Sequence, residues 1–263
     1  MPVIIEVPAI SRSALIPLFE NHRRDRALID CVLEGHSGRA RVNDASAPAV
    51  ARVDGGPLTA LGGDPASTDA EALIRCAPID SVTPETDGWR AVLERIFAGR
   101  IKAIPFVTWS AASLDVAELE RRVRGLAHGY ELRRVDAPLI DRLVEDLRKE
   151  WVLENFRSRD DFLRRGVGYV ALHDGRVVAG ATSAIASSRA IDIDIETVAA
   201  HRRKGFATAV GAALALECLV RGLEPLWLAS NEASCRLAAK LGYTRGDSYE
   251  TYEIAPQSAP PVI

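Results

Sequence analysis

Residues 191–196 read IDIDIE, with apolar and acidic side chains in strict alternation. A period of two is that of a β-strand, so Ile191, Ile193 and Ile195 share one face and Asp192, Asp194 and Glu196 the other. The surrounding pattern predicts a run of elements. A strand at 130–136 leads into an amphipathic helix at 137–151, with Leu139, Leu143, Leu147 and Trp151 at helical spacing. A short helix at 159–166 follows. Two alternating apolar runs then flank His173-Asp174-Gly175-Arg176, a hairpin signature. After the strand at 189–198 come a helix from 205 to about 220 stopped by Gly222, a strand at 224–230, a helix capped by Asn231 and stopped by Gly242, and a last strand at 249–254.

The first half is less regular. Helical periodicity spans 11–35, and strands are expected at 40–48, 49–56 and 58–64. Helices follow at 68–77 and 87–98, the second with Asp87 as N-cap, then a strand at 101–110 and a charged helix at 114–126. The glycine-containing break GLAHGY at 125–130 is the expected domain boundary. This gives an N-terminal α/β domain over 1–126, a second domain over 127–255 and a Pro-rich, disordered tail over 256–263. The order of elements in the first half repeats that of the second, as in a degenerate copy.

Composition narrows the classes. A chain of 263 residues can fold as two modest domains, and its net charge of −3 argues against a nucleic-acid binder driven by overall charge. The one basic run, HRRK at 201–204, has no interleaved aromatics. Cys31, Cys76, Cys218 and Cys235 show no CxxC spacing and read as reduced, buried thiols; no HExxH or other metal pattern is present. The first residues lack a basic stretch and are broken by Glu6, Pro8, Arg12 and Pro17, unlike a signal peptide. No apolar run reaches the roughly 20 residues of a membrane span, so the expected location is cytoplasmic, with no membrane partner.

Two features carry chemistry. The first is HRRKGFAT at 201–208, three cations running into a glycine at the start of a helix. A helix N-terminus exposes unpaired N–H groups and a partial positive charge, which makes an anion site. Gly205 lets the backbone approach a phosphate, Ala207 is nearly as small, Thr208 offers a hydroxyl, and Arg202, Arg203 and Lys204 add charge. The second is the acidic strand face. Carboxylates are wrong for a central strand covered on both sides, and fit a face that lines a cleft holding an amine. Glu196, Asp194 and Asp192 are therefore candidate bases; alternatively they pair with Arg133, Arg134 or Arg189 and are structural.

Residues 202–207, Arg-Arg-Lys-Gly-Phe-Ala, resemble the Arg/Gln-x-x-Gly-x-Gly/Ala signature of the GNAT N-acetyltransferase superfamily. Asn231-Glu232-Ala233-Ser234 and Ala239-Lys240-Leu241-Gly242-Tyr243 resemble its second motif. The resemblance covers about 127–255. It is nearest to a branch that includes zwittermicin A resistance acetyltransferases, on Phe162-Leu163-Arg164-Arg165-Gly166-Val167-Gly168-Tyr169, the GATS stretch at 180–183 and, in part, Pro225-Leu226-Trp227.

The resemblance implies a mixed, mainly antiparallel twisted sheet flanked by helices (an α+β arrangement), preceded by the smaller α/β domain. It implies acetyl-CoA as co-substrate and direct transfer of acetyl to a primary amine of a small molecule within a ternary complex. The pyrophosphate would lie on Arg202–Thr208 and the pantetheine along Ile195, Glu196, Thr197 and Val198, with Asn231 and Ser234 beside them. Antibiotic resistance is a further expectation. Most free amines are protonated at neutral pH, with pKa values of roughly 8 to 10.4, so a base must act, and the developing oxyanion calls for N–H donors. Many relatives carry a tyrosine acid where this chain has Ala238; Tyr243, Tyr249 and Tyr252 are the nearby candidates. The missing tyrosine also suits a second reading, a non-catalytic CoA or acyl-CoA sensor. In the family the helical segment around Trp151, Phe156 and 157–161 walls the acceptor site, whereas the apolar stripe alone places Trp151 in a core. His173 and His201 receive no role. The N-terminal half has no phosphate loop, because Gly62-Gly63-Asp64 runs into Pro65. It is expected to bind no CoA, and to cover the acceptor side or build a homodimer.

Overall fold

The computed structural model describes residues 3–126, 128–147 and 153–256. The chain forms two compact units, Met1–Pro105 with Tyr249–Ile263, and Phe106–Ser248. The first contains β1 (Ile5–Val7), α1 (Arg26–Leu33), β2 (Arg39–Val42), β3 (Val50–Gly55), β4 (Leu58–Gly63), α2 (Ala70–Arg75), β5 (Ser81–Val82), α3 (Asp87–Ile96) and the start of β6 (Ile101–Ser110). The second contains the end of β6, α4 (Val116–Arg124), β7 (Glu131–Arg134), α5 (Ala137–Leu147), α6 (Arg159–Arg165), β8 (Gly168–His173), β9 (Arg176–Ala186), β10 (Ala190–Thr197), α7 (Phe206–Arg221), β11 (Glu224–Ala229), α8 (Glu232–Leu241) and the start of β12 (Thr244–Ile254).

Within the second unit the strand order is β6-β11-β10-β9-β8-β7. All pairs are antiparallel except β10 with β11, which are joined through the crossover helix α7. In the first unit the order is β1-β2-β3-β4-β5-β12, with β4 and β5 parallel across α2 and the other pairs antiparallel. The same succession of pairings therefore occurs in each unit.

The isoleucine face of β10 meets α7. Ile191 is fully buried, and a Cβ on Gly211 of α7 would come within 3.0 Å of the Ile195 side chain, so the glycine permits the close approach. Small residues let α7 lie flat, with Val210, Ala212, Leu214 and Ala215 all buried. On the opposite face Leu143 and Leu147 of α5 cover Gly180 of β9. The hairpin turn is as expected: Asp174 and Gly175 have φ of 49° and 76°, as a two-residue primed turn requires. Gly222 and Gly242 end their helices at φ 69° and 101°.

Several expectations are corrected. Residues 11–35 are not one helix. A 3-10 segment, Ala9–Phe19, precedes α1 and is separated from it by a turn in which Glu85 accepts the N–H groups of Arg23 (3.0 Å) and Arg24 (3.3 Å) and Asp25 adopts φ 52°. The strand expected at 40–48 ends at Val42, because the Asn43 side chain takes the N–H of Ala49 and of Val50. Thr86, not Asp87, caps α3, its hydroxyl accepting from Trp89 N. The boundary between units does not fall at 126/127. Pairing of Trp109, Thr108 and Val107 with β11, and burial of Leu119 of α4 beside α7 and α8, place 106–126 with the second unit. Pairing of Tyr252 with Val82 places the end of β12 with the first. Cys76 is exposed, and Cys235 is half-buried; burial pushes the Cys218 thiol up to about 12, which makes it inert. The end of the expected 137–151 helix, Trp151 included, and the tail 257–263 lie outside the described residues.

Asp161 organises α6. Its buried carboxylate accepts from Arg157 N (3.1 Å), Arg164 Nη2 (2.7 Å) and Arg165 Nε and Nη2 (3.0 and 2.7 Å). The Arg165 guanidinium, with the other donors, holds its pKa well below the ordinary carboxylate value despite burial. We predict that Asp161→Asn destabilises the protein by about 3 kcal/mol, because it leaves a buried guanidinium uncompensated. A depressed carboxylate contributes stability above its unfolded pKa and loses it as pH falls. The gap between wild type and variant in thermal melts should thus be full above about pH 5 and close progressively below about pH 4.

Candidate active site

The second unit opens where two parallel strands part. β10 and β11 are paired at Ala190↔Glu224, Ile191↔Pro225 and Asp192↔Leu226. Past that point residues 193–197 pair with β9 and residues 227–229 with β6, and the two arms diverge. A β-bulge lies at the parting: Asp192 faces Ile185 while Ile193 faces Ser183, so Ala184 is an extra residue. Bulges sharpen local twist, which turns β10 away from β11. Asn155 Nδ2 donates to the Ala184 carbonyl (3.2 Å), fixing the bulge.

The fork bounds a cavity of about 650 Å³. One wall is Asp194, Ile195, Glu196 and Thr197; the other is Trp227, Leu228 and Ser230; the mouth is the loop before α7, and α8 closes the side with Asn231, Ser234 and Lys240. At the mouth Arg203 and Gly205 both adopt left-handed φ, 59° and 91°. Gly205 is the N-cap of α7 and offers no side chain to the first-turn N–H groups of Phe206, Ala207 and Thr208. A Cβ at 205 would meet nothing within 4 Å, so glycine is required there for its conformation, and the space above it is open. The sixteen-residue α7 thus aims its positive end into the cleft. Phe206 contributes backbone alone, its ring buried against Tyr130 (centroids 4.3 Å apart).

The protein family follows from comparison with known sequences and structures. A family model described as GNAT acetyltransferase matches residues 16–252. The chain belongs to that family. It is 26% identical over 184 residues, 69% of either chain, to an uncharacterized N-acetyltransferase, YdfB, of Bacillus subtilis strain 168. It superposes with TM-score 0.80 and 28% identity on a GCN5-related N-acetyltransferase-like protein from Streptococcus suis 89/1591, covering 94% of this chain and 100% of that one. A tandem GNAT protein from the clavulanic acid biosynthesis pathway shares the fold at TM-score 0.63 and 15% identity, with 97% and 99% covered.

The GNAT cleft gathers most of the residues singled out in the sequence. Ile195, Thr197, Arg202, Arg203, Gly205, Phe206, Ala207, Thr208, Asn231 and Ser234 all line it, as do Asp194 and Glu196. Val198, Lys204 and Asp192 do not. The Val198 N–H is spent on the Val178 carbonyl (2.9 Å), Lys204 points to solvent, and Asp192 sits in the last β10–β11 pair, behind the parting. Lining residues that the sequence did not disclose include Ile193, His201, Trp227 and Lys240. Lys240 could have been found as a cation on the second motif. Trp227 could not, because only the parting of the strands brings this buried residue to the cleft wall.

The carboxylates do not pair with Arg133 or Arg134, which engage Asp136 and Glu217 instead. Glu196 binds within the loop: its Oε1 accepts from Arg202 Nη2 (3.2 Å) and from Thr197 N (3.0 Å), while Arg202 Nε donates to the Thr197 carbonyl (3.1 Å). Asp194 lies two residues nearer the closed end of the fork. In the cleft wall Thr197 Oγ1 and His201 Nδ1 are buried with no protein partner. Desolvation, with Lys204 and the neighbouring His173 ring, lowers the His201 pKa. Ala238 is fully buried, and Tyr243, buried with its pKa raised by desolvation, does not line the cleft. Tyr249 and Tyr252 belong to the other unit. Phe156 packs in the core edge-on to Phe162.

Substitution of Gly205 separates backbone conformation from bulk. Gly205→Ala should cost roughly 1 kcal/mol of stability through φ alone, whereas Gly205→Val should also weaken binding of a diphosphate ligand by at least about tenfold. Calorimetric titration with CoA, beside a thermal melt of each variant, measures both.

Proposed function

We propose that the protein is an acetyl-CoA-dependent N-acetyltransferase acting on a primary amine of a small molecule. The observation that carries this reading is the fork itself, with unpaired strand edges leading from a cationic helix N-terminus to a carboxylate. The residues present fit acetyl-CoA: first-turn N–H groups of α7 with Arg202, Arg203 and Lys240 for a diphosphate, the edge of residues 193–195 that no strand completes for an amide-bearing arm, and the unpartnered Thr197 hydroxyl beside it. Acetyl-CoA, when bound, supplies an activated acetyl thioester. The chain's own residues orient it, exclude water and manage one proton.

Asp194 is the base in this proposal. It lines the cleft deeper than Glu196, toward the end where a thioester would lie, and is positioned to accept the proton of an incoming ammonium or amine at a carboxylate oxygen. Glu196 steadies Arg202 at the cofactor end. The acceptor enters as a cation drawn by Asp194 and Glu196. The resemblance to the zwittermicin A resistance branch places amine-bearing antibiotics on the panel to be screened, together with diamines and amino sugars. The first unit is read as a degenerate GNAT-like copy that holds no CoA. Its pairing order repeats that of the second, but the loop between β4 and α2 carries Asp64 and Asp69 in place of cations, and α2 has six residues.

Thermal melts with and without acetyl-CoA, followed by thiol release across the amine panel, test the reading. Acetyl-CoA at about a hundred times its Kd should stabilise the fold by about 2.7 kcal/mol. Asp194→Asn should lower kcat by at least about a hundredfold with acetyl-CoA affinity unchanged, and Glu196→Gln should chiefly weaken that affinity. If wild type shows no stabilisation by acetyl-CoA at millimolar concentration, the enzyme reading and the sensor reading both fail. Binding with no turnover on any amine favours the sensor.

A further inference from the structure

We propose that the Ser234 hydroxyl is the hydrogen-bond donor to the cofactor's sulfur, in the place left by the tyrosine that Ala238 replaces. This rests on the acetyl-CoA reading of the cleft and assigns a residue to its closed end. Trp227 is the first residue of β11 past the Asp192↔Leu226 pair, so it stands where the fork closes. An indole N–H can only donate. Trp227 Nε1 lies 3.0 Å from Ser234 Oγ, which must therefore accept from it. The Ser234 main-chain N–H is held by Asn231 Oδ1 at 2.9 Å. Tryptophan and asparagine thus fix the serine oxygen, and the one proton it carries is left to donate into the cleft that Ser234 lines.

The position along the cleft agrees. With the diphosphate at the N-terminus of α7, residues 197 back to 193 carry an extended arm about 13 Å toward the closed end at the usual strand rise. The thioester then falls beside Trp227 and Ser234. Among the described residues no tyrosine lines the cleft to compete for the sulfur. In the reaction the acceptor nitrogen forms a C–N bond to the acetyl carbon, the C–S bond breaks, its electron pair stays on sulfur, and the amine proton passes to Asp194. Ser234 keeps its proton and stabilises the thiolate by a charge-assisted hydrogen bond.

The test needs no acceptor. Free CoA is bound to wild type, Ser234→Ala, Ser234→Thr and Trp227→Phe, and the ultraviolet absorbance of the bound thiolate is followed against pH. The Ser234→Ala complex should titrate about one pH unit higher than wild type, the scale of one hydrogen bond to an anion. Ser234→Thr should restore the wild-type value, and Trp227→Phe, which frees the hydroxyl to rotate, should fall between. Equal thiol pKa values in wild type and Ser234→Ala, with CoA bound to both, overturn the inference and leave the acetyl-CoA reading standing. Failure of wild type to bind CoA overturns that reading and this inference with it.

Discussion

β10 and β11 share three pairs and then part, leaving on each arm a run of N–H and C=O groups that no strand completes. Such groups are costly when sealed from water, so a fold retains them where solvent or a ligand can reach them. Everything else at the site is arranged around that opening. The bulge at Ala184 supplies the twist that opens it, and Asn155 holds the bulge. Gly211 lets α7 press against Ile195, which fixes the height of the helix N-terminus relative to the arm. The glycine at 205 then turns the chain so that the first-turn N–H groups face the gap. Closing the fork by pairing would improve the sheet and remove the site.

The first unit shows what the fold is without these additions. It has three antiparallel pairs, one parallel pair and an antiparallel closing pair, in the same succession as the second. Its crossover, however, contains a helix of six residues and its loop carries two aspartates. A short helix sums few peptide dipoles, and acidic side chains at its start oppose an anion. Pairing order and the polarity of the crossover loop are therefore separable: the former is set by strand pattern, the latter by a few residues at one helix start.

That separation explains what could be read in advance. The alternation of IDIDIE, the small-residue run of α7 and the glycines at 205, 222 and 242 each act locally, and each element lay where its pattern placed it. Ends governed by remote partners did not. The turn before α1 depends on Glu85, some sixty residues away, and the two-residue β5 exists only through its neighbours β4 and β12. The unit boundary was hidden for the same reason, since a glycine-rich break marks a loop but does not say which strand Trp109 will pair with. Among the residues that line the cleft, the motifs pointed to the loop and Ser234. They could not disclose Trp227, whose place in the cleft wall depends on an angle between strands.

Charge completes the argument. The cleft is cationic at its mouth and acidic toward its closed end, and the two regions meet at Glu196 and Arg202. Were both carboxylates available to the acceptor, the arm of the cleft nearest the diphosphate would also repel it. Pairing Glu196 with Arg202 neutralises that part of the wall, at a half-exposed position where the pair itself adds little stability. It also sets the Arg202 guanidinium against the Thr197 carbonyl, at the rim rather than across the opening. The ion pair thus acts chiefly on the field in the cleft, setting the neutralised Glu196 apart from the positive N-terminal end of α7.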